Sequence, residues 1–184
     1  MHFKPAGPLA QLLVLALATA LSSVTRAAAA GADLPAYPAA HEEKLPPGRH
    51  SGTTSCGRTI TVEKSLTVNA DPHLVAKWYQ SRLPGSRAID FTRMLSDEAG
   101  GNSQTSLEVI SADGSQTVVV SRMNFSSAKL AEASKSLGMD RTQIGIENIT
   151  PPFDQGYIAL AAQGAAGGAT AAHAKEQMKA MCKG

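Results

Sequence analysis

Hydrophobic and polar residues alternate along the segment that follows Gly57. One parity of this segment is apolar and consists of Ile60, Val62, Leu66 and Val68. Threonine, glutamate and serine fill the other parity, so the pattern predicts a strand with one buried face. Lys64 falls on the apolar parity. One interpretation of a lysine there is a functional ammonium group inside a pocket. The commoner one is a side chain that extends its charged end past the edge of the sheet.

The period changes to that of a helix after Asp71-Pro72. Aspartate is a favourable N-cap, and proline at the first helical position gives up no hydrogen bond. The apolar stripe comprises Leu74, Val75, Trp78, Tyr79 and Leu83. Pro84-Gly85 then predicts the end of the element. We expect Trp78 to lie at the centre of the core rather than to form a ligand platform.

Alternating segments on both sides of Asp113-Gly114 predict a β-hairpin with a two-residue type I′ turn. An earlier strand is expected around Ile89 and Phe91, with Leu95 in the same alternating run and a polar loop after it. The turn fixes the hairpin register, and the expected cross-strand pairs are Leu107 with Val120, Val109 with Val118, and Ile110 with Thr117. One face of this hairpin is apolar and the other is mixed, so we expect one buried face and one largely solvated face.

The remaining elements complete an α+β pattern. Ser126 or Ser127 can cap a second helix that carries Leu130, Ala131 and Leu137 and ends at Gly138. A strand is expected through Ile144, Ile146 and Ile149, with Tyr157 to Leu160 as a candidate for one more. The predicted fold is α+β, with a mainly antiparallel sheet of four to five strands and one or two helices packed on one face.

Two short motifs resemble a type of small exported bacterial domain. That type has a Pro-x-Tyr-Pro-Gly-Ala arm and an Asp-Ser-Pro-x-x-Val-x-x-Phe-Tyr helix. The corresponding segments here are Pro35-Ala36-Tyr37-Pro38-Ala39-Ala40 and Asn69-Ala70-Asp71-Pro72-His73-Leu74-Val75-Ala76-Lys77-Trp78-Tyr79. Ala39 stands where the pattern has glycine, and Asn69-Ala70 stands where it has a polar residue and serine. The resemblance covers about Leu34 to Met123. It implies the fold and export, and it supplies no catalytic residue.

The N-terminal segment has the features of a secretory signal peptide. Lys4 gives a positive start, an apolar run follows from Leu12 to Leu21, and Ala28-Ala29-Ala30 forms a small-residue cleavage site. Cleavage is expected after Ala30, with Ala32 as the alternative. The apolar run is shorter than the roughly 20 residues that span a membrane. Loss of this segment leaves 15 of the 17 basic residues against 15 acidic ones, and this neutral balance gives no reason to expect nucleic acid as a partner.

Composition divides the chain into four parts. We predict a signal peptide at 1–30, an extended proline-rich arm at 31–56, the α+β domain at 57–161, and a Gly/Ala hinge with a C-terminal helix at 162–184. Ala171, Ala174, Met178 and Met181 can share one face of that last helix. The helix either binds a partner through its methionines or folds back on its own sheet.

The two cysteines are Cys56 and Cys182. An oxidising compartment favours a disulfide between two such residues, so we predict this bond. In the chain-entropy model, closing so long a loop stabilises the fold by roughly 4 to 5 kcal/mol. The alternative is a pair of free thiols.

Candidate catalytic and metal-binding chemistry is sparse. The side-chain types that could ligate zinc or copper are His41, Glu42, Glu43, His50, Cys56, His73 and His173. Their spacing matches no known ligand pattern, and the chain has no nucleophile-elbow or phosphate-loop motif. We therefore predict no catalytic, cofactor-binding or metal-binding residue and no cofactor.

These observations favour a periplasmic or secreted protein that acts by binding. The favoured hypothesis is a non-catalytic binding or accessory module whose partner is another envelope protein or a small ligand. It involves no nucleic acid and no stable membrane insertion after signal cleavage. The alternative is a small ligand carrier or small enzyme with a cavity between helix and sheet. A filled core beneath Trp78 without a cavity would favour the first hypothesis, and an apolar pocket the second.

Overall fold

The computed structural model describes residues 33–44, 51–53, 56–93, 103–136, 138–167 and 169–181. The described strands are β1 (His41–Glu42), β2 (Ser51–Thr53), β3 (Thr59–Val68), β4 (Arg87–Asp90), β5 (Ser103–Ile110), β6 (Gln116–Asn124) and β7 (Thr142–Thr150). The described helices are α1 (Pro72–Gln80), α2 (Ala128–Ser136), α3 (Gln155–Ala165) and α4 (Ala169–Met181). The predicted signal peptide, residues 1–30, lies outside the described residues.

One antiparallel sheet contains all seven described strands. Its order is β1-β3-β7-β6-β5-β4, and β2 also pairs with β3. The predicted α+β class is confirmed. The count exceeds the expected four to five strands because β1 and β2, which lie in the proline-rich arm, pair with β3.

The β5–β6 hairpin has the predicted register but a different turn. Leu107 pairs with Val120, Val109 with Val118 and Ile110 with Thr117. The predicted type I′ turn is wrong, because Asp113 lacks a positive φ and only Gly114, at φ 73°, has one. The N–H of Gly114 donates to the carbonyl of Ser111 at 3.0 Å. This places Ala112 and Asp113 at the centre of the turn, followed by a left-handed glycine.

Helix α1 begins as predicted but presents a different face to the core. The Asp71 carboxylate accepts hydrogen bonds from the backbone N–H groups of His73 and Leu74. Val75 and Tyr79 are fully buried, whereas Leu74 is 61% exposed. Trp78 is only partly buried and packs edge-to-face against Tyr79. Tyr79, and not Trp78 as predicted, therefore lies at the centre of the core. The buried face of α1 is rotated relative to the predicted apolar stripe, so that it includes Ala76.

A bulge in β3 divides its apolar residues between the two faces of the sheet. The pairing with β7 shifts between Val62 and Lys64. As a result Leu66 packs with the α1 cluster, while Ile60 packs with a second cluster on the opposite face. The expectation of a single buried face on this strand is wrong, because the extra residue of a bulge reverses which side chains point inward.

Helix α3 covers the second face of the sheet, and Met178 of α4 packs against the same cluster. Ile110 and Ile149 of the sheet form a cluster with Ile158, Ala161 and Ala165 of α3. This face is not the largely solvated surface that the sequence suggested. The strand considered for residues 157–160 is also wrong, since they belong to α3, whose N-cap Asp154 accepts from the N–H of Tyr157 at 2.7 Å.

Helix α4 folds back against α3. Ala174 is 1% exposed, and Met178 packs against the second cluster. A Cβ on Gly164 would lie 3.6 Å from the Met178 methyl carbon, so the two helices approach closely there. The positions of Ala174 and Met178 therefore agree with a helix that folds back on its own domain, and not with one that presents its methionines to a partner. The predicted hinge is also shorter than expected, because residues 163–165 are helical.

The arm residues 33–44 pack onto the core. Leu34 is 4% exposed within the α1 cluster. The ammonium group of Lys64 donates to the carbonyl of Leu34 at 2.9 Å and pairs with the carboxylate of Asp33. The backbone N–H of Tyr37 donates to the hydroxyl of buried Tyr79 at 3.1 Å. Lys64 thus anchors the arm, in line with the structural interpretation of this lysine.

Helix α2 has the predicted cap, as the Ser127 hydroxyl accepts from the N–H of Leu130 at 3.1 Å. The side chain of Leu130 is 48% exposed, so the expected apolar stripe does not face a core at this position. Among the described helices, none combines the length and apolar character that crossing a membrane requires.

Candidate functional site

A cavity of about 330 Å³ lies between the second face of the sheet and helices α3 and α4. Most of its lining is apolar and comprises Ile60, Phe91, Ile110, Val119, Ile149, Phe153, Tyr157, Ala161 and Met178. Four polar side chains complete the lining, and they are Ser106, Glu108, Thr117 and Glu147. This mixture of an apolar wall with a few grouped polar atoms is typical of small-molecule sites.

Strand pairing brings the two glutamates together. Glu108 of β5 lies directly opposite Val119 of β6, and Val119 lies opposite Gly145 of β7. The Oε1 atom of Glu147 lies 3.3 Å from the position that a Cβ on Gly145 would occupy. The Glu147 side chain therefore extends over Gly145 into the row that contains Glu108. The absence of a side chain at Gly145 leaves room for this carboxylate.

The environment makes both carboxyl groups weaker acids. Burial, and secondarily the negative charge of Glu147, raises the pKa of Glu108 from 4.5 to about 7. Burial also raises the pKa of Glu147. Within the described residues neither glutamate takes part in an ion pair. Perturbed carboxyl groups in a cavity are a recognised indicator of a functional site.

Thr117 adds a buried hydroxyl without a hydrogen-bond partner in the part of the chain that the structure describes. The residue is 3% exposed and lines the cavity beside its cross-strand neighbour Glu147. Its Oγ1 atom makes no hydrogen bond to any of the described residues. Native structures rarely leave such atoms unsatisfied, so this hydroxyl is available to a bound molecule.

Two stacked aromatic rings form one wall of the cavity. The rings of Phe153 and Tyr157 are parallel, with centroids 4.6 Å apart. The Arg58 guanidinium lies 5.3 Å from the Tyr157 centroid and 3.4 Å from the carboxylate of Asp154, which fixes its position at the start of α3. Burial and the negative charge of Glu108 raise the pKa of the Tyr157 phenol, and Arg58 opposes that shift.

A second depression lies between β4 and the end of α3. Its volume is about 530 Å³, and its lining includes Ala88, Asp90, Arg93 and Ala166. It is more open to solvent than the cavity at Glu108. Neither of the buried, unpartnered polar atoms among the described residues lines it, and we therefore place the candidate site in the cavity at Glu108.

The residues considered as metal ligands are distributed over separate elements. His41 is exposed in β1, His73 is exposed at the start of α1, and His173 lies on α4 with its Nε2 atom 3.0 Å from the side-chain nitrogen of Gln177. His50 lies outside the described residues. The described part of the chain contains no group of three or more His, Cys, Asp or Glu side chains arranged to hold a metal ion.

The predicted disulfide stays a prediction. Cys56 lies in a turn shortly before β3 and is partly buried. Cys182 follows directly after α4, outside the described residues.

No sequence motif marks Glu108, Glu147 or Thr117 as site residues. A signal for two of them exists in the hairpin register, which puts Glu108 and Thr117 on the same face. The mixed polar and apolar composition of that face predicts a largely solvated surface, and the helix that covers it has no clear sequence signal. A helix over that face turns ordinary surface acids into buried carboxyl groups.

Comparison with protein-family models, with curated proteins and with solved structures found no match to this chain. The resemblance to the small exported domains stays a prediction. The functional argument therefore depends on the site. Its geometry offers a largely apolar lining, four polar side chains whose oxygen atoms can accept hydrogen bonds, and a carboxyl group that can exchange a proton near neutral pH.

Proposed function

We propose that the mature chain is an exported, non-catalytic binding protein that holds a small ligand in the cavity between the sheet and α3. The cavity carries this proposal, because it combines an apolar wall with a Thr117 hydroxyl and two glutamates that have no hydrogen-bond or ion-pair partner, respectively, among the described residues. Unsatisfied polar groups inside a fold are costly unless a ligand uses them. Export follows from the N-terminal signal pattern and is part of the proposal.

The cavity between helix and sheet favours the alternative hypothesis, that of a small ligand carrier. The α1 side of the sheet is filled by Val75, Tyr79 and their neighbours, whereas the cavity lies on the α3 side. Because Ala174 and Met178 of α4 pack against the protein itself, a partner-binding methionine stripe receives less support than a small-ligand site.

A neutral fluorescent probe tests this function. N-phenyl-1-naphthylamine should bind one-to-one with increased emission when it is titrated into the purified protein. Ala161→Phe should abolish the signal, because the phenyl group would project from α3 into the cavity. Ala166→Phe, at an exposed position just after α3, is the matched control and should bind like the wild type.

Two checks complete the experiment. Thermal unfolding of Ala161→Phe must show that the variant folds, since overpacking can cost about 1 to 3 kcal/mol. The absence of saturable binding to the wild-type protein, or equal binding by folded Ala161→Phe, would contradict a ligand site in this cavity. Native mass spectrometry of the protein purified without reductant or chelator would identify any molecule retained from the cell.

A further inference from the structure

The polar atoms of the cavity are grouped rather than scattered. Thr117 lies opposite Glu147 across β6 and β7, and the Glu147 carboxylate extends over Gly145. Glu108 enters the same row from β5, with Val119 between the two acids. Strands two places apart are separated by about 9 to 10 Å, a distance over which two glutamate side chains can converge on one bound group.

The chemistry of this group favours a cation with several donors. A primary ammonium group has three N–H donors and no acceptor. The glutamates supply two anionic acceptors, and the buried Thr117 hydroxyl supplies a third that no described residue uses. Aliphatic and aromatic side chains make up the rest of the lining, so the remainder of the ligand should be apolar.

Other ligand classes fit less well. A carboxylate or phosphate would lie beside two acidic side chains in the same cavity and be repelled by them. A calcium ion usually requires six to eight oxygen ligands, and the cavity has only four polar side chains. A neutral alcohol could use Thr117 but would leave the two glutamates without a counter-charge.

We propose that the cavity binds a small primary amine with an apolar body and holds its ammonium group between Glu108, Glu147 and Thr117. This inference rests on the proposed function, since it specifies the ligand class of the same site.

Proton release should accompany this binding. The titratable groups that act on Glu108 are Glu147 from β7 and Tyr157 from α3, and Arg58 lies beside the Tyr157 ring. The pKa of Glu108 is raised to about 7, so at pH 5.5 this group is mostly protonated and must lose its proton to pair with an ammonium group. Affinity for the amine should therefore increase as the pH rises from 5.5 to 8.

Three probes with the same hydrocarbon chain and different head groups test the ligand class. Calorimetric titrations at pH 8 would compare n-hexylamine, n-hexanol and sodium hexanoate. Hexylamine should bind at least about tenfold more tightly than the other two, because charge-assisted hydrogen bonds are the stronger kind. At pH 5.5 the ratio between the affinity for hexylamine and the affinity for hexanol should be roughly tenfold smaller than at pH 8. Hexylamine is charged at both pH values, whereas Glu108 is mostly protonated at pH 5.5.

Variants of the two glutamates test whether these side chains cause the preference for hexylamine. Glu108→Gln and Glu147→Gln should each weaken hexylamine binding about tenfold or more and leave hexanol binding unchanged. Glu132→Gln removes an exposed glutamate on α2 and serves as the matched control with wild-type affinity. Glu108→Gln keeps the size of the side chain, and retained hexanol binding would show that the cavity is intact.

The outcomes separate the two proposals. If hexanol or hexanoate binds as tightly as hexylamine, or if neither acid variant affects hexylamine, the amine assignment is wrong while a ligand-binding cavity remains. If none of the three probes binds and the fluorescent probe also fails, the proposed function itself is wrong.

Discussion

Glu108→Gln should make the free protein more stable at alkaline pH. The native state holds a proton on Glu108 up to about pH 7, whereas an unfolded chain releases it near pH 4.5. Between these values the native state binds more protons than the unfolded state, so stability falls as the pH rises. This contribution is present in full below pH 4.5 and is lost as the pH passes through 7.

The expected size follows from the shift in pKa. One pKa unit corresponds to about 1.36 kcal/mol, so a shift from 4.5 to about 7 corresponds to about 3 kcal/mol over the whole range. Most of that difference, about 2 to 3 kcal/mol, should appear between pH 5 and pH 8. Glutamine resembles the protonated carboxyl group in shape and does not titrate, so the variant should lack this contribution.

Urea unfolding at pH 5 and pH 8 measures the effect. The free energy of unfolding of Glu108→Gln should match that of the wild type at pH 5 and exceed it by about 2 to 3 kcal/mol at pH 8. Glu132→Gln, at an exposed position, should have the same free energy of unfolding as the wild type at both pH values. An equal dependence on pH in wild type and Glu108→Gln would refute the buried, proton-holding carboxyl group on which the site is built.

Two further predictions concern single residues of the structure, and a third concerns the disulfide that the sequence predicts. Ala39 has φ 61°, so Ala39→Gly should stabilise the protein by about 0.5 to 1 kcal/mol in urea unfolding, and a loss of stability would contradict the strain. Gly145→Ala would place a Cβ 3.3 Å from Oε1 of Glu147 and should weaken hexylamine binding several-fold with hexanol unaffected; unchanged affinity would show that this carboxylate does not contribute. Alkylation without reductant should leave Cys56 and Cys182 unlabelled in an intact-mass spectrum, and two labels would disprove the predicted disulfide.

Short-range sequence signals predicted much of the secondary structure and the strand pairing of the hairpin. The Asp71-Pro72 helix start depends on a single cap, and the hairpin register depends on strand alternation on both sides of one turn. Both signals lie within a few residues of the structure that they specify. The turn type differs from the prediction at Asp113. The carboxylate of this residue accepts hydrogen bonds from the Ser111 hydroxyl and the Ser115 backbone N–H, and these bonds stabilise a backbone conformation without a positive φ.

Long-range packing decided the features that the sequence did not reveal. The bulge near Lys64 depends on pairing with β7, and it distributes β3 between two clusters. The segment around Ile158 has no clear period, because α3 is rich in alanine and glycine and its inward face is defined by the sheet that it covers. Without that helix in place, Glu108 could only be interpreted as a solvated strand residue.

A crystal structure of the protein soaked with n-hexylamine at pH 8 tests the central claim most directly. We predict that the amine nitrogen lies within about 3 Å of carboxylate oxygens of Glu108 and Glu147, with the alkyl chain against Phe153 and Tyr157. Glu108 paired with a cation of the protein itself, or a cavity filled by the protein's own side chains with the amine bound elsewhere, would contradict the account.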